Sequence, residues 1–167
     1  DYHGESIVSG VVKGLLLAEA SYAPRTELSQ HSHRHDGFCL VLEGRSTETY
    51  GTTAFECEPW SVKFQPAGEW HTDVYGSEPV RCFIVQLRSE WLTRMEATHL
   101  LRDSPLVDKG GDSARLMMRL RAQFQSVDEE SPLLIEGLAL QLIAETSRSL
   151  RKRPNGKPPL WLRRAKE

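Results

Sequence analysis

Three imidazoles stand at alternate positions, His31, His33 and His35, and a fourth, His71, follows a tight turn at Pro66-Ala67-Gly68-Glu69-Trp70. On a β-strand, side chains at i, i+2 and i+4 leave from the same face, so the spacing predicts three rings projecting together. If His71 meets them inside a closed sheet, the four form a donor set for Zn²⁺, Ni²⁺, Fe²⁺ or Mn²⁺, because neutral imidazole suits most divalent transition metals. The same rings could instead make the hydrogen-bonded floor of a metal-free pocket, paired with Asp36, Asp73 or water. The nearby aromatics Phe38, Phe64 and Trp70 complete the set of candidate pocket residues. No GxSxG, phosphate loop, GxGxxG or Cys–His spacing suited to nucleophilic attack occurs, so no catalytic residue is assigned.

The elements that must position these rings read as strands over the first ninety residues. Runs with β-branched and aromatic residues fall at Ile7–Val12, Leu15–Tyr22, Thr26–His31, Phe38–Leu42, Ser46–Tyr50, Thr53–Cys57, Ser61–Gln65, His71–Val74 and Arg81–Leu87, separated by Gly- and Pro-containing turns. Many short strands without intervening helices predict a sandwich or barrel.

From Glu90 the texture is helical. A short helix is expected over Glu90–Thr98 and a loop over Asp103–Gly111. A helix from Asp112 or Ser113 to Gln125 carries Leu116, Leu120 and Phe124 on one face. A second is expected with Ser131 as its cap and Pro132 at the first helical position, fading near Leu150. Two helices joined by so short a loop are expected to pack antiparallel. The apolar stripe of the second, from Leu133 to Ile143, is too broad for one neighbour, so it meets the barrel, a second subunit, or both.

Arg151 to Pro159 holds three prolines and a glycine among basic residues, the composition of an interdomain linker, and Leu160–Glu167 reads as a helix opening. A further domain is therefore expected beyond it. Residues 144–167 carry a charge of +6 and the first 143 carry -8, so the basic tail is set to face something anionic. Three widely spaced cysteines (Cys39, Cys57, Cys82) fit neither a disulfide framework nor a cysteine zinc site and point to a reducing compartment. No apolar run reaches the length of a membrane span, and the expected location is the cytoplasm.

The run His31–Gly44 resembles the first cupin motif, in which HxH precedes a glutamate ligand and a strand ending in Gly. Trp60–His71 is similar to the second, with PxG ahead of the last histidine. The alignment puts His31, His33 and His71 on motif histidines. It also exposes two departures, Gly37 at the glutamate position and Trp60 where the second motif opens on Gly. Loss of the carboxylate favours sensing over catalysis. The wording of Phe38–Gly44, Glu48–Gly51, Phe64–His71 and Pro158–Lys166 further resembles AraC-type transcriptional regulators.

The resemblance implies a mainly β protein with C-terminal α structure. Residues 1–98 would form a cupin-like antiparallel β-barrel of jelly-roll type and 99–150 an antiparallel helix pair for dimerisation. A linker (151–159) would lead to the start of a helix-turn-helix domain (160–167). Such a chain binds a small organic effector at His31, His33, His35, Phe38, Phe64, Trp70 and His71, and needs no cofactor, with a divalent metal at the four histidines as an option. It forms a homodimer through its C-terminal helices and reaches DNA only through the domain that follows. Asp1–Gly14 could serve as a lid. The alternative is a metal-dependent cupin enzyme, a dioxygenase or isomerase, in which the helices merely pack.

Overall fold

The structure, a computed structural model, describes residues 3–101 and 104–152. The linker from residue 153 and the helix opening at 160–167 lie outside the described residues. Nine strands precede the first helix: β1 (Glu5–Val12), β2 (Leu15–Tyr22), β3 (Glu27–His31), β4 (Asp36–Glu43), β5 (Ser46–Tyr50), β6 (Thr53–Cys57), β7 (Ser61–Gln65), β8 (His71–Tyr75) and β9 (Val80–Leu87). Then follow α1 (Ser89–Arg94), β10 (Leu106–Lys109), α2 (Gly111–Gln125) and α3 (Ser131–Lys152). A six-stranded sheet, ordered β1-β2-β9-β4-β7-β10, faces a four-stranded sheet, ordered β3-β8-β5-β6, and every pairing is antiparallel.

The expected strands all form, with ends shifted by two residues at most. Two expectations fail. The expected loop at Asp103–Gly111 contains β10, which adds to the edge of β7 with Leu106 opposite Phe64. Four residues held between Pro105 and two glycines, two of them charged, carry no alternation to read; pairing with β7 makes them a strand. The first helix also stops at Arg94, short of Thr98, because Glu96 takes φ 52° in the left-handed region.

The large sheet is buried on both faces. Its inner face carries Ala20, Tyr22, Cys39, Val41, Cys82 and Ile84 towards the small sheet, while Leu17, Phe38, Leu40, Phe64, Phe83 and Val85 point outward under the helices. That is why β4 and β9 are near-continuous runs of buried residues, without the alternation of a strand that has one face in water. The helices contribute Met117 and Leu120 from α2 and Ile135, Leu138, Leu142 and Ile143 from α3 to the same core. Buried Glu19 on β2 ties α2 down, accepting from Arg121 Nε at 2.8 Å and Gln125 Nε2 at 2.7 Å. Most of the broad stripe of α3 is thus covered within the chain, leaving Leu133 (73% exposed) and Leu134 (44%) outward.

Gly44, ending β4, has φ 76°, and a Cβ there would stand 2.5 Å from the Pro79 carbonyl oxygen and 2.8 Å from Val80 Cγ2. Gly44→Ala therefore meets both a strained backbone and a rigid neighbour. It should lower unfolding free energy by about 1–3 kcal/mol, read as a shift in denaturation midpoint with unchanged slope.

Candidate functional site

The small sheet aims its polar residues inward. On β5, Glu48 and Tyr50 are buried between outward Thr47 and Thr49; on β8, His71, Asp73 and Tyr75 are buried while Val74 faces out. The β5–β8 register sets Glu48 opposite Asp73, and the β3–β8 register sets His31 opposite His71. From the large sheet, β7 sends Lys63 and Gln65 across the interior while Val62 and Phe64 face the helices.

These side chains form one network. Glu48 accepts from the Tyr50 hydroxyl at 2.5 Å and from Gln65 Nε2 at 3.0 Å through Oε1, and pairs with Lys63 Nζ at 2.5 Å through Oε2. Lys63 Nζ also reaches Asp73 Oδ1 at 3.4 Å. Burial pushes the Glu48 carboxyl up, yet the Lys63 ammonium, with help from His71 and Tyr50, overrides it and holds the group at about 2. Burial likewise pulls the Lys63 ammonium down, and the Glu48 and Asp73 carboxylates outweigh that, so it sits well above the usual lysine range. Glu48 and Lys63 escape a reading of the sequence because polar residues at alternate positions look like a solvated face. In the Ser61–Gln65 run, the apolar residues are the ones pointing away from the site.

His31, His33 and His71 meet above this network, each offering a ring nitrogen within 4.8 Å of the others. Ring centroids are 4.3 Å apart for His31 and His71 and 5.0 Å for His33 and His71. The expected common strand face is not how they meet. β3 ends at His31, and His33 and His35 lie in the connection to β4. Two contacts bend that connection inward: the Gly68 N–H donates to the His33 carbonyl at 2.9 Å, and Asp36 Oδ1 accepts from the Ala67 N–H at 2.8 Å. Asp36 thus anchors the Pro66–Gly68 turn that delivers His71. His35 lines the same cavity but stands outside the three-ring group.

Burial, then the neighbouring His71 and His31, lowers His33 to about 3; burial also lowers His71, against the pull of Glu48 and Asp73. Both rings are neutral near pH 7.

The three aromatic candidates do not join the histidines. Phe38 and Phe64 pack on each other, centroids 5.2 Å apart, on the outward face under the helices, and Trp70 is 51% exposed. The buried aromatics of the interior are Tyr50, whose ring lies 4.9 Å from that of His71, and the stacked pair Tyr22 and Tyr75. His3, just ahead of β1, rests edge-on against His31 at 4.5 Å and closes part of the mouth. The space left inside is about 20 Å³, room for roughly one water molecule. A wider crevice of about 370 Å³, sharing His3 and Tyr22 with the cavity, opens at the surface beside Pro24 and Pro79.

Two facing antiparallel sheets, a histidine trio inside and helices on the outer sheet define a cupin-fold binding domain. Residues 14–143 match the family model of the AraC-like ligand binding domain, and the chain belongs to that family. The structure is similar to that of the AraC-like transcriptional activator CuxR, at 16% identity and a TM-score of 0.63, covering 89% of this chain and 56% of that one. A cupin 2 conserved barrel protein from Salinispora arenicola aligns at 16% identity and TM-score 0.47 over 57% of this chain and 83% of its own. Salicylate 1,2-dioxygenase from Pseudoaminobacter salicylatoxidans aligns at 14% identity and TM-score 0.43 over 60% and 27%. No curated protein matches the chain at a significant level. Among the described residues, no helix is long and apolar enough to cross a membrane.

Proposed function

We propose that this chain is the effector-binding and dimerisation part of a cytoplasmic transcription regulator. A small ligand enters the barrel at His31, His33, His35 and His71, α3 pairs with its copy in a homodimer, and DNA is bound by a domain opening at residues 160–167. The observation that carries the reading is the family match across 14–143, which takes in the site and most of both helices. The helices that cover the back of the barrel strands also present Leu133 and Leu134, so a ligand that favours one packing of barrel and helices shifts the dimer. The domain binds and does not catalyse: Gly37 stands where a cupin enzyme carries its glutamate.

Sedimentation equilibrium tests the reading. The chain should be a dimer at micromolar concentration, and Leu133→Glu with Leu134→Glu should weaken it by more than about tenfold, the loss expected for central apolar anchors. Sugars and aromatic acids screened by thermal unfolding supply the effector arm: a true ligand at about 100 times its Kd adds about 2.7 kcal/mol. A wild-type monomer that no ligand stabilises would end the proposal.

A further inference from the structure

We propose that the outer edge of β1 binds a second copy of this chain, strand to antiparallel strand, so that two six-stranded sheets join into one. The inference rests on the homodimer reading above and adds to it a surface that the helices do not supply.

Four strands stand at a sheet edge, β1 and β10 in the large sheet and β3 and β6 in the small one. An edge presents a row of unpaired N–H and C=O groups to any other strand, and proteins guard it by keeping it short or charged. Three of the four are guarded in this way. β10 has four residues, two of them Asp108 and Lys109, while β3 and β6 have five each, with Glu27 and Glu56 among them. β1 has eight residues and no charge after Glu5, its first. Its one guard is the bulge at Ile7, which leaves residues 8–12 in regular register with β2.

The same strand is apolar where it meets water. Ile7, Val8 and Val11 are 54%, 43% and 53% exposed, three large aliphatic side chains within five residues. A strand laid along this edge gives the open backbone groups their partners and covers those side chains together.

The two ends of β1 select a copy of itself as that strand. Glu5 opens β1 and Lys13 follows its last residue, and both are exposed. Antiparallel self-pairing sets the Glu5 end of each copy against the Lys13 end of the other, with Ile7 and Val8 near the partner's Val11. A parallel mate would set like charges together.

The two-fold axis of such a pair stands perpendicular to the sheet, so the helices of both copies stay on one face. β1 runs under the end of α2: a Cβ at Gly10 would stand 3.1 Å from Phe124 Cε2, and Val8 lies opposite Glu19, which holds Arg121 and Gln125. The Ser131 hydroxyl donates to Gln123 Oε1 at 3.3 Å and sets the start of α3 beside that end. Exposed Val127, Leu133 and Leu134 therefore sit at the β1 end of the helical layer, the side from which the second copy approaches. Strand edge and helix ends form one continuous interface.

Sedimentation equilibrium of the whole chain, with hydrogen exchange on the same samples, tests the assignment. Glu5→Lys and Lys13→Glu should each weaken the dimer about three- to tenfold, since each turns two exposed ion pairs into like-charge contacts. Glu5→Lys combined with Lys13→Glu restores opposite charges and should return to within about twofold of wild type. Ile7→Lys with Val11→Lys, at exposed positions where folding is preserved, should weaken the dimer more than about tenfold. The β1 amides turned away from β2 should exchange slowly in the dimer and fast after dilution to monomer. Wild-type dimer strength in Ile7→Lys with Val11→Lys, or a double charge variant no better than the singles, overturns the inference. If those variants dimerise normally while Leu133→Glu with Leu134→Glu does not, the edge assignment falls and the helical dimer stands. A monomeric wild type leaves the edge to a strand of another protein and also overturns the assignment, whereas the effector reading is then decided by its ligand screen.

Discussion

Replacing Lys63 with methionine is expected to cost about 3–5 kcal/mol of stability at pH 7, because it strands two carboxylates inside the barrel. Lys63 is 4% exposed and its ammonium lies between Glu48 and Asp73, which are 1% and 3% exposed. Methionine keeps the length and apolar stem of lysine, so the loss isolates the charge. The pH dependence follows from Glu48. In the wild type its carboxyl is held at about 2 against an ordinary 4.5, so it adds stability above pH 4.5 that fades as pH falls through 2. Without Lys63 the burial effect dominates, the carboxyl moves above its ordinary value, and the variant loses stability as pH rises through that higher value. The penalty should therefore be largest at neutral pH and shrink below about pH 5, where the stranded acid takes up a proton. Urea denaturation at pH 7 and pH 4.5 reads both. A loss under about 1 kcal/mol, or one indifferent to pH, would show that the network is more hydrated than its burial indicates. Adding Glu48→Gln should recover part of the loss, since a buried pair removed together costs less than one partner removed alone.

Phe64→Ala should be as damaging, at about 3–5 kcal/mol, and for an unrelated reason. Phe64 is 2% exposed and packs at a tilt against Phe38 in the layer between sheet and helices, where Met117, Leu120 and Leu142 also reside. Removing the ring opens a void that a sheet hydrogen-bonded on both sides cannot close, since β7 pairs with β4 and β10. Trp70→Ala, by contrast, removes a half-exposed side chain and should shift stability by no more than about 0.5 kcal/mol. Measured together by denaturant titration, the pair separates two places for the aromatics of the second motif. If Phe64→Ala were mild and instead altered ligand binding, the ring would belong to the pocket and the layering described above would be wrong.

That contrast marks where the sequence stops being sufficient. Strand positions were legible because branched and aromatic runs broken by Gly and Pro turns are a local property, and Leu15–Tyr22, Ser46–Tyr50, Thr53–Cys57 and Ser61–Gln65 form to the residue. The start of α3 was legible too: Ser131 and Asp128 exchange hydrogen bonds of 2.8 and 2.9 Å between side chain and backbone, chemistry confined to four residues. The histidines could be singled out by type and spacing, and three of the four do converge.

Which way a strand faces is a different kind of fact. Alternation in Ser61–Gln65 says that Val62 and Phe64 share one face and Lys63 and Gln65 the other, but it is silent on which face is the interior. With one sheet face in water, the apolar side would point in. Here helices cover the outer face, so the greasy side turns to them and the polar side lines the barrel. The pairing of Lys63 with Glu48 and Asp73 across two sheets, the inward bend of His33 and the existence of β10 all depend on partners distant in the chain. Residue types and local periodicity determined the elements and the candidate donors by themselves. Only long-range register and the covering of a second sheet face decided which donors meet, because burial is settled by what packs against a surface and not by the surface alone.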